Sequence, residues 1–330
     1  MIKYDHIFRM EPVHFIKIGS DVIVLVVTLV AWGLVHIILP IRKSGFKCDD
    51  YSISLPYRDS TVTNWMLILI CTLLPLLVIC GTELARKYYS AIRHRNKYVY
   101  KIKMLKNSMI NIPEILGNIY INLGSYLFGL LVVQFLTNLG KYTIGRLRPH
   151  YIDVCKPMFT TTNLTRIDCK IKEYFTYEVD YICTNVNTQR FHDAHLSFPS
   201  GHASTSVYTM IFLIFYLKYT WNCRRMGLFT PFMQIVFFSV AFFTCLSRVV
   251  DHKHHFTDVL AGTVLGLVFA ILVFIFLTDF LKRKTFSTTP ISSQDITTSN
   301  SNSQNLRNNS RGFANNTNNG LQASSFIENP

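Results

Sequence analysis

The chain has 330 residues, of which 49% are hydrophobic, and it carries a formal net charge of +14. So apolar a composition excludes an ordinary soluble domain of this size. The positive charge does not argue for nucleic acid, because the cations are spread over loops that flank apolar runs and no DNA-binding motif or aromatic-studded groove accompanies them.

Roughly 20 apolar residues suffice to cross a bilayer's hydrocarbon core as a helix. Six runs reach or approach that length: 18–39, 62–84, 112–139, 203–219, 231–246 and 258–280. The fourth and fifth are short and need flanking residues. The first is too long for the apolar part of a signal peptide and has no small-residue cleavage site after it, so it is expected to stay as an anchor. Glu114, Asn118, Asn122 and Gln134 in the third run would be costly against lipid and are expected to face the bundle interior or a polar end. The predicted fold is all-α and polytopic, with six transmembrane helices. It is divided into a cytoplasmic N-terminus 1–17, a membrane domain 18–284 with a long outer loop 140–202, and a tail 285–330. More than half the tail is Ser, Thr or Asn without apolar period, so it is expected to be disordered.

Orientation follows from basic loops. Arg86, Lys87, Arg93, Arg95, Lys97, Lys101, Lys103 and Lys106 lie between the second and third runs with no acid between Glu83 and Glu114, which assigns that loop to the cytoplasm. Lys218, Arg224 and Arg225, then Lys282, Arg283 and Lys284, agree in alternation, and both termini are then cytoplasmic. The opposite loops also carry Asp and Glu. One of them holds a glycosylation sequon at Asn163. Of eight cysteines, Cys71, Cys80 and Cys245 fall in apolar runs and Cys223 in a cytoplasmic turn. Cys48, Cys155, Cys169 and Cys183 fall in outer loops, where an oxidising compartment allows pairing. Cys169 with Cys183 is the expected bridge by proximity. No Cys or His spacing suggests a metal.

Three short stretches carry the chemistry: Lys141 to Pro149, Pro199 to His202, and Ser247 to Asp258. In the assigned topology all emerge on one side of the membrane, which makes neighbours of Lys141, Arg148, Arg248, His202, His254 and Asp258. Cations in such number repel one another unless an anion joins them, and a phosphate monoester dianion is the natural candidate. Ser200 and the Gly201 amide lie where a helix should begin and could add hydroxyl and backbone donors. Two histidines exceed what binding needs. Phosphoryl transfer asks for charge neutralisation, an in-line nucleophile and a proton for the departing alcohol. Asp258 stands four residues after His254, one helical turn, and could hold one imidazole nitrogen while the other faces phosphorus. Spacing alone does not choose among His252, His254 and His255.

Taken together the stretches resemble the signature of the type 2 phosphatidic acid phosphatase superfamily: Lys, six residues, Arg-Pro; then Pro-Ser-Gly-His; then Ser-Arg, five residues, His, three residues, Asp. Here these are Lys141, Arg148 and Pro149; Pro199 to His202; and Ser247, Arg248, His254 and Asp258. The flanks, Gly-Arg-Leu-Arg-Pro-His and Phe-Pro-Ser-Gly-His-Ala-Ser, are similar to the lipid phosphate phosphatase subfamily. The resemblance covers about 18–280. It implies His254 as nucleophile, His202 as the acid that protonates the leaving oxygen and later the base that activates water, and Lys141, Arg148, Ser200, Gly201 and Arg248 as the phosphate cradle. It further implies removal of phosphate from phosphatidate, lysophosphatidate, sphingosine 1-phosphate and ceramide 1-phosphate, without Mg²⁺ or other cofactor, at an outward or lumenal site. The expected location is the plasma membrane, with an internal membrane as the alternative. The expected partners are lipid phosphates, the bilayer and, as an open option, further copies of the chain.

Singly, Lys141, Arg148 and Arg248 could be snorkelling interfacial anchors, His202 and His254 polar caps, and Asp258 a helix N-terminal charge. Three spaced motifs on one face argue against that. A non-catalytic lipid-binding or signalling relative should lack a motif residue, and none is missing. A transporter would place charges along a path through the membrane rather than at one end. Glucose 6-phosphatase-like or haloperoxidase-like members share the cradle but not the flanks. His252 and His255 carry no assigned role, and Arg146 and Asp251 are expected as supports.

Overall fold

The computed structural model describes residues 13–42, 44–47, 50–92, 99–103, 109–159, 177–178, 181–184, 188–221 and 227–278. The helices are α1 (Phe15–Ile38), α2 (Asn64–Ile92), α3 (Glu114–Ile144), the short α4 (Tyr151–Cys155) and α5 (Thr188–Ala194), then α6 (Gly201–Thr220), α7 (Phe229–Val250) and α8 (Phe256–Leu277). Each predicted run coincides with one of the long helices. Five of these, α1, α2, α3, α7 and α8, are long and apolar enough to span a bilayer. They turn Val27, Leu77, Ile235 and Phe276 outward, exposed, as lipid-facing helices do.

The fourth predicted span, α6, is a helix of 20 residues but falls outside that group of five. The reason is its position. It packs against α2, α3, α7 and α8, so helices rather than lipid surround it. It can therefore carry Ser204, Thr205, Ser206 and Thr209, all buried. Helix-to-helix hydrogen bonds use these groups, Thr137 Oγ1 to Ser204 Oγ at 2.9 Å and Gln134 Nε2 to Thr205 Oγ1 at 3.0 Å. The α6–α8 contact is close because α8 presents Gly262 and Gly266 four residues apart, the small-xxx-small device of membrane helices. A Cβ on Gly262 would lie 2.5 Å from the Ser200 carbonyl oxygen, and one on Gly266 would collide with the Ser204 carbonyl.

Short strands qualify the all-α expectation. They are β1 (Val13–His14), β2 (Phe46–Lys47), β3 (Val99–Lys103), β4 (Met109–Pro113), β5 (Pro157–Phe159), β6 (Tyr177–Glu178) and β7 (Tyr181–Cys183). β3 and β4 pair antiparallel with β1 alongside β3, in a segment whose Val, Tyr and Ile suit extended backbone. β2 pairs with β6, and β5 with β7. The expected Cys169–Cys183 bridge is corrected here: Cys183 is bonded to Cys155. The antiparallel register sets Pro157 opposite Cys183 and so delivers Cys155 to it, which proximity along the chain could not reveal. Cys169, the Asn163 sequon, Cys48 and the tail 285–330 lie outside the described residues. Around the bridge, Phe46, Ile53, Leu147, Tyr151, Ile152 and Ala194 form a small apolar core that supports the turn carrying Arg148.

At the end of the bundle far from the three motifs, Glu83 of α2 is buried and fully engaged. It accepts from Arg86 Nη1 at 3.0 Å, Asn118 Nδ2 at 3.0 Å and the Tyr216 hydroxyl at 3.3 Å. Asn118 is one of the polar residues expected to face inward, and it does. Removing the carboxylate takes a buried acceptor away from all three donors, although Tyr216 keeps its bond to Thr82 Oγ1 at 2.5 Å. Glu83→Ala should lower stability by about 1–3 kcal/mol, read as an earlier thermal transition in detergent, while the KM of the folded protein is unchanged.

Candidate active site

The motif segments are built by helix ends. α3 stops because Gly145 adopts the left-handed conformation (φ 63°), donating its amide to the Lys141 carbonyl at 3.0 Å. The chain then turns through Arg146 to Pro149. Arg148 N–H bonds Ala194 O at 2.8 Å and Ser197 N–H bonds Arg146 O at 3.0 Å, strapping this turn to the segment that enters α6. Ser200 N–H bonds the Asp258 carbonyl at 3.0 Å and brings in the start of α8. Between α7 and α8 the Arg248 carbonyl accepts from the amides of Lys253 (3.0 Å) and His254 (3.2 Å). The predicted catalytic and phosphate-binding residues are brought together here from three segments between Lys141 and Asp258.

A second strap was not foreseen. The segment 55–62 crosses the mouth: Leu55 N–H bonds Pro149 O at 2.9 Å, Thr61 gives its amide and hydroxyl to Asp251 at 2.8 and 2.7 Å, and His252 Nδ1 bonds Pro56 O at 3.0 Å. Its Val62 carbonyl accepts from both Arg248 Nη2 (2.9 Å) and His202 Nε2 (3.2 Å), fixing those two groups beside each other. Arg248 is 2% exposed and also pairs with Asp251 at 2.9 Å, the supporting role expected of that acid. Lys141 reaches the same place: a Cβ on Gly201 would lie 3.5 Å from its Nζ.

The donors left over are informative. Arg148 Nε, Ser200 Oγ and Arg248 Nε are buried without a hydrogen-bond partner, and they come from the three motifs, one each. Ser200 is the N-cap of α6, yet its hydroxyl makes no cap bond. An N-cap serine ordinarily accepts from the first turn. Unpaired buried donors of this kind cost about 1–3 kcal/mol each unless a ligand completes them.

His254 is buried with Nδ1 2.7 Å from the Ser197 carbonyl, so Nδ1 carries the proton and Nε2 the lone pair. Burial first, then the charges of Arg148 and Lys141 and the neighbouring His202, hold its pKa well below the usual imidazole value. The resting side chain is therefore neutral.

The expected Asp258–His254 hydrogen bond is corrected. His254 Nδ1 and Asp258 Oδ2 are 4.0 Å apart, and the imidazole proton goes to the Ser197 carbonyl. His254 precedes the helix, which begins at Phe256, so the one-turn spacing does not apply to it. Asp258, 0% exposed, instead closes a capping box with His255, whose amide it accepts at 3.0 Å. It also receives Ser197 Oγ at 2.6 Å and Arg146 Nη1 at 2.6 Å. The carboxylate thus fixes Ser197, and Ser197 fixes His254. Ser197 and the Val62 carbonyl escaped the sequence reading because neither position carries a distinctive residue type. Arg146, expected as a support, is one. His255 bonds Leu147 O at 3.1 Å, and the buried His150 bonds His252 O at 2.7 Å, tying the first motif's turn to the third.

Residues 122–282 match the model of the PAP2 superfamily. The chain is similar to phospholipid phosphatase 1 of Rattus norvegicus, 34% identical over 265 residues, covering 79% of this chain and 86% of that protein. It is also similar to phospholipid phosphatase 2 of Homo sapiens, 30% identical over 266 residues, covering 80% and 83% respectively. No solved structure matches the chain. With relatives at this identity over most of their own length, and the matched segment containing all three motifs, the chain belongs to the PAP2 superfamily.

Proposed function

We propose that the chain is an integral-membrane lipid phosphate phosphatase, hydrolysing phosphate monoesters of phosphatidate, lysophosphatidate, sphingosine 1-phosphate and ceramide 1-phosphate. The observation that carries the reaction class is the set of orphaned buried donors, Arg148 Nε, Arg248 Nε and Ser200 Oγ, gathered beside a neutral imidazole. The phospholipid phosphatases among its relatives support the lipid class. In this reading α6 is a sixth span, the three motifs lie at the extracytoplasmic ends of the helices, and the outer loop is glycosylated at Asn163. The head group enters the cup while the acyl chains stay in lipid.

The chemistry follows from the protonation pattern. Lys141, Arg148, Arg248, Ser200 and the Gly201 amide take the phosphoryl oxygens and spread their charge. The phosphate group enters as its monoanion and gives its proton to Nδ1 of His202, whose Nε2–H stays on the Val62 carbonyl. The Nε2 lone pair of His254 then attacks phosphorus in line, the P–O ester bond breaks, and the leaving alkoxide takes that proton from His202. This gives the alcohol and an N-phosphohistidine. His202, now neutral, removes a proton from water as the water attacks phosphorus. The P–N bond breaks, inorganic phosphate departs, and His254 returns to its neutral form. No step calls on a metal ion.

Detergent-purified protein in EDTA should release inorganic phosphate from lysophosphatidate. Release only after Mg²⁺ is added would refute the metal-free scheme, and no release under either condition would refute the substrate class. Hydrolysis of lipid added to intact cells, compared with permeabilised ones, would place the site outside or in a lumen.

A further inference from the structure

Lys253 belongs to none of the three motifs' assigned positions, yet it is 5% exposed and stands one residue before His254. The turn that holds it is tightly specified: Lys253 N–H bonds Arg248 O at 3.0 Å, and His252 before it has φ 55°. Its ammonium makes no ion pair with any described residue. The nearby Asp251 is already occupied by Arg248 and by the amide and hydroxyl of Thr61. Instead, Lys253 Nζ lies 3.7 Å from the centroid of the Tyr57 ring, and Arg190 Cζ lies 4.7 Å from the same centroid. An aromatic face is a weak holding place for a cation, worth much less than a phosphate oxygen. Burial, then Arg148 and Arg248, push the Lys253 pKa down to about 8, while Asp59 and Asp251 oppose them. A buried ammonium repelled by two guanidinium groups, with Asp59 and Asp251 acting on it only at a distance and no carboxylate in direct contact among the described residues, is a charge short of a counter-ion.

We propose that Lys253 is a further substrate-binding cation, held on the face of Tyr57 and transferred to the phosphoryl oxygens held by Arg148 and Arg248 when substrate enters. It acts by attraction and placement, with no proton or covalent transfer. The proposal rests on the phosphate-cup reading above. Tyr57 is the positioning residue: its backbone amide is tied to Asp153 at 2.8 Å, which holds the ring over the mouth.

Lys253→Met keeps the stem and removes the charge. It should raise both KM and the inhibition constant of inorganic orthovanadate by about ten- to a hundredfold, the effect expected for losing one hydrogen bond to a charged group. The kcat should change far less. Lys253→Arg should recover most of the loss, Tyr57→Phe should be silent, and Tyr57→Leu should raise KM without abolishing turnover. Unchanged KM and vanadate inhibition in Lys253→Met would overturn the proposal even if the variant is less heat-stable, since a purely structural lysine predicts that pattern. Failure of the wild type itself to bind vanadate would sink the cup instead, so the two failures are distinguishable.

Discussion

His254→Ala should abolish turnover, a loss on the order of 10⁴-fold or more, as expected when a covalent nucleophile is removed from an otherwise intact site. Orthovanadate binding should survive, because Lys141, Arg148, Arg248 and Ser200 are untouched. Wild-type protein quenched in alkali during turnover should carry acid-labile phosphate on this residue, and the variant should carry none. Retained turnover would remove His254 from the role of nucleophile. The pKa direction supplies an independent check. A histidine whose folded-state pKa lies below its unfolded value refuses protons that the unfolded chain accepts. Its contribution to stability is full above about pH 6.5 and is lost as pH falls below that value. The alanine variant lacks this term, so its thermal transition should fall less steeply than that of the wild type between pH 6.5 and 5. The same depression keeps the nucleophile's lone pair available below pH 6.5, so an acid limb in kcat/KM near that value would belong to another group.

Much of this site could be read from the chain because its parts are residue types whose chemistry survives without coordinates. Lys141, Arg148, Ser200, His202, Arg248 and His254 point to the proposed anion site by charge, spacing and position at the ends of apolar runs. What could not be read was contributed by backbone and by helix boundaries. The Val62 and Ser197 carbonyls orient the histidines, and a carbonyl has no sequence signature. The Asp258 assignment assumed that His254 lies within the helix, whereas α8 starts two residues later and the carboxylate is spent on its capping box. The bridge partner of Cys183 depended on the pairing of β5 with β7, strands of three residues each, too short for alternation to mark. Helix α6 illustrates a different limit: hydropathy reports lipid contact, and a helix enclosed by its neighbours need not show it. Gly262 and Gly266, four apart in an apolar helix, did carry a signal, since they mark where α8 would approach another backbone closely.

His202→Ala should slow hydrolysis of lysophosphatidate by about 10²- to 10⁴-fold, the usual scale for losing a general acid. The geometry specifies how. Its Nε2–H is committed to the Val62 carbonyl at 3.2 Å, so Nδ1 is left to meet the substrate, taking up the proton that the phosphate brings and passing it to the leaving oxygen, while the imidazole is held by a bond the reaction does not break. Arg248 donates to the same carbonyl, so the acid is fixed relative to the phosphate cradle rather than tethered loosely to it. An alkyl alcohol leaves poorly without a proton, whereas p-nitrophenol leaves as its anion. With p-nitrophenyl phosphate the variant should therefore regain a fast first step and show a burst of p-nitrophenol stoichiometric with enzyme. The steady rate afterwards should remain slow, because the water that cleaves the phosphohistidine still lacks its base. Phosphate should accumulate on His254 in that phase. If the burst is absent and both esters are slowed equally, His202 serves binding or structure rather than proton transfer, because a group that acts only on the leaving oxygen cannot matter when that oxygen needs no proton.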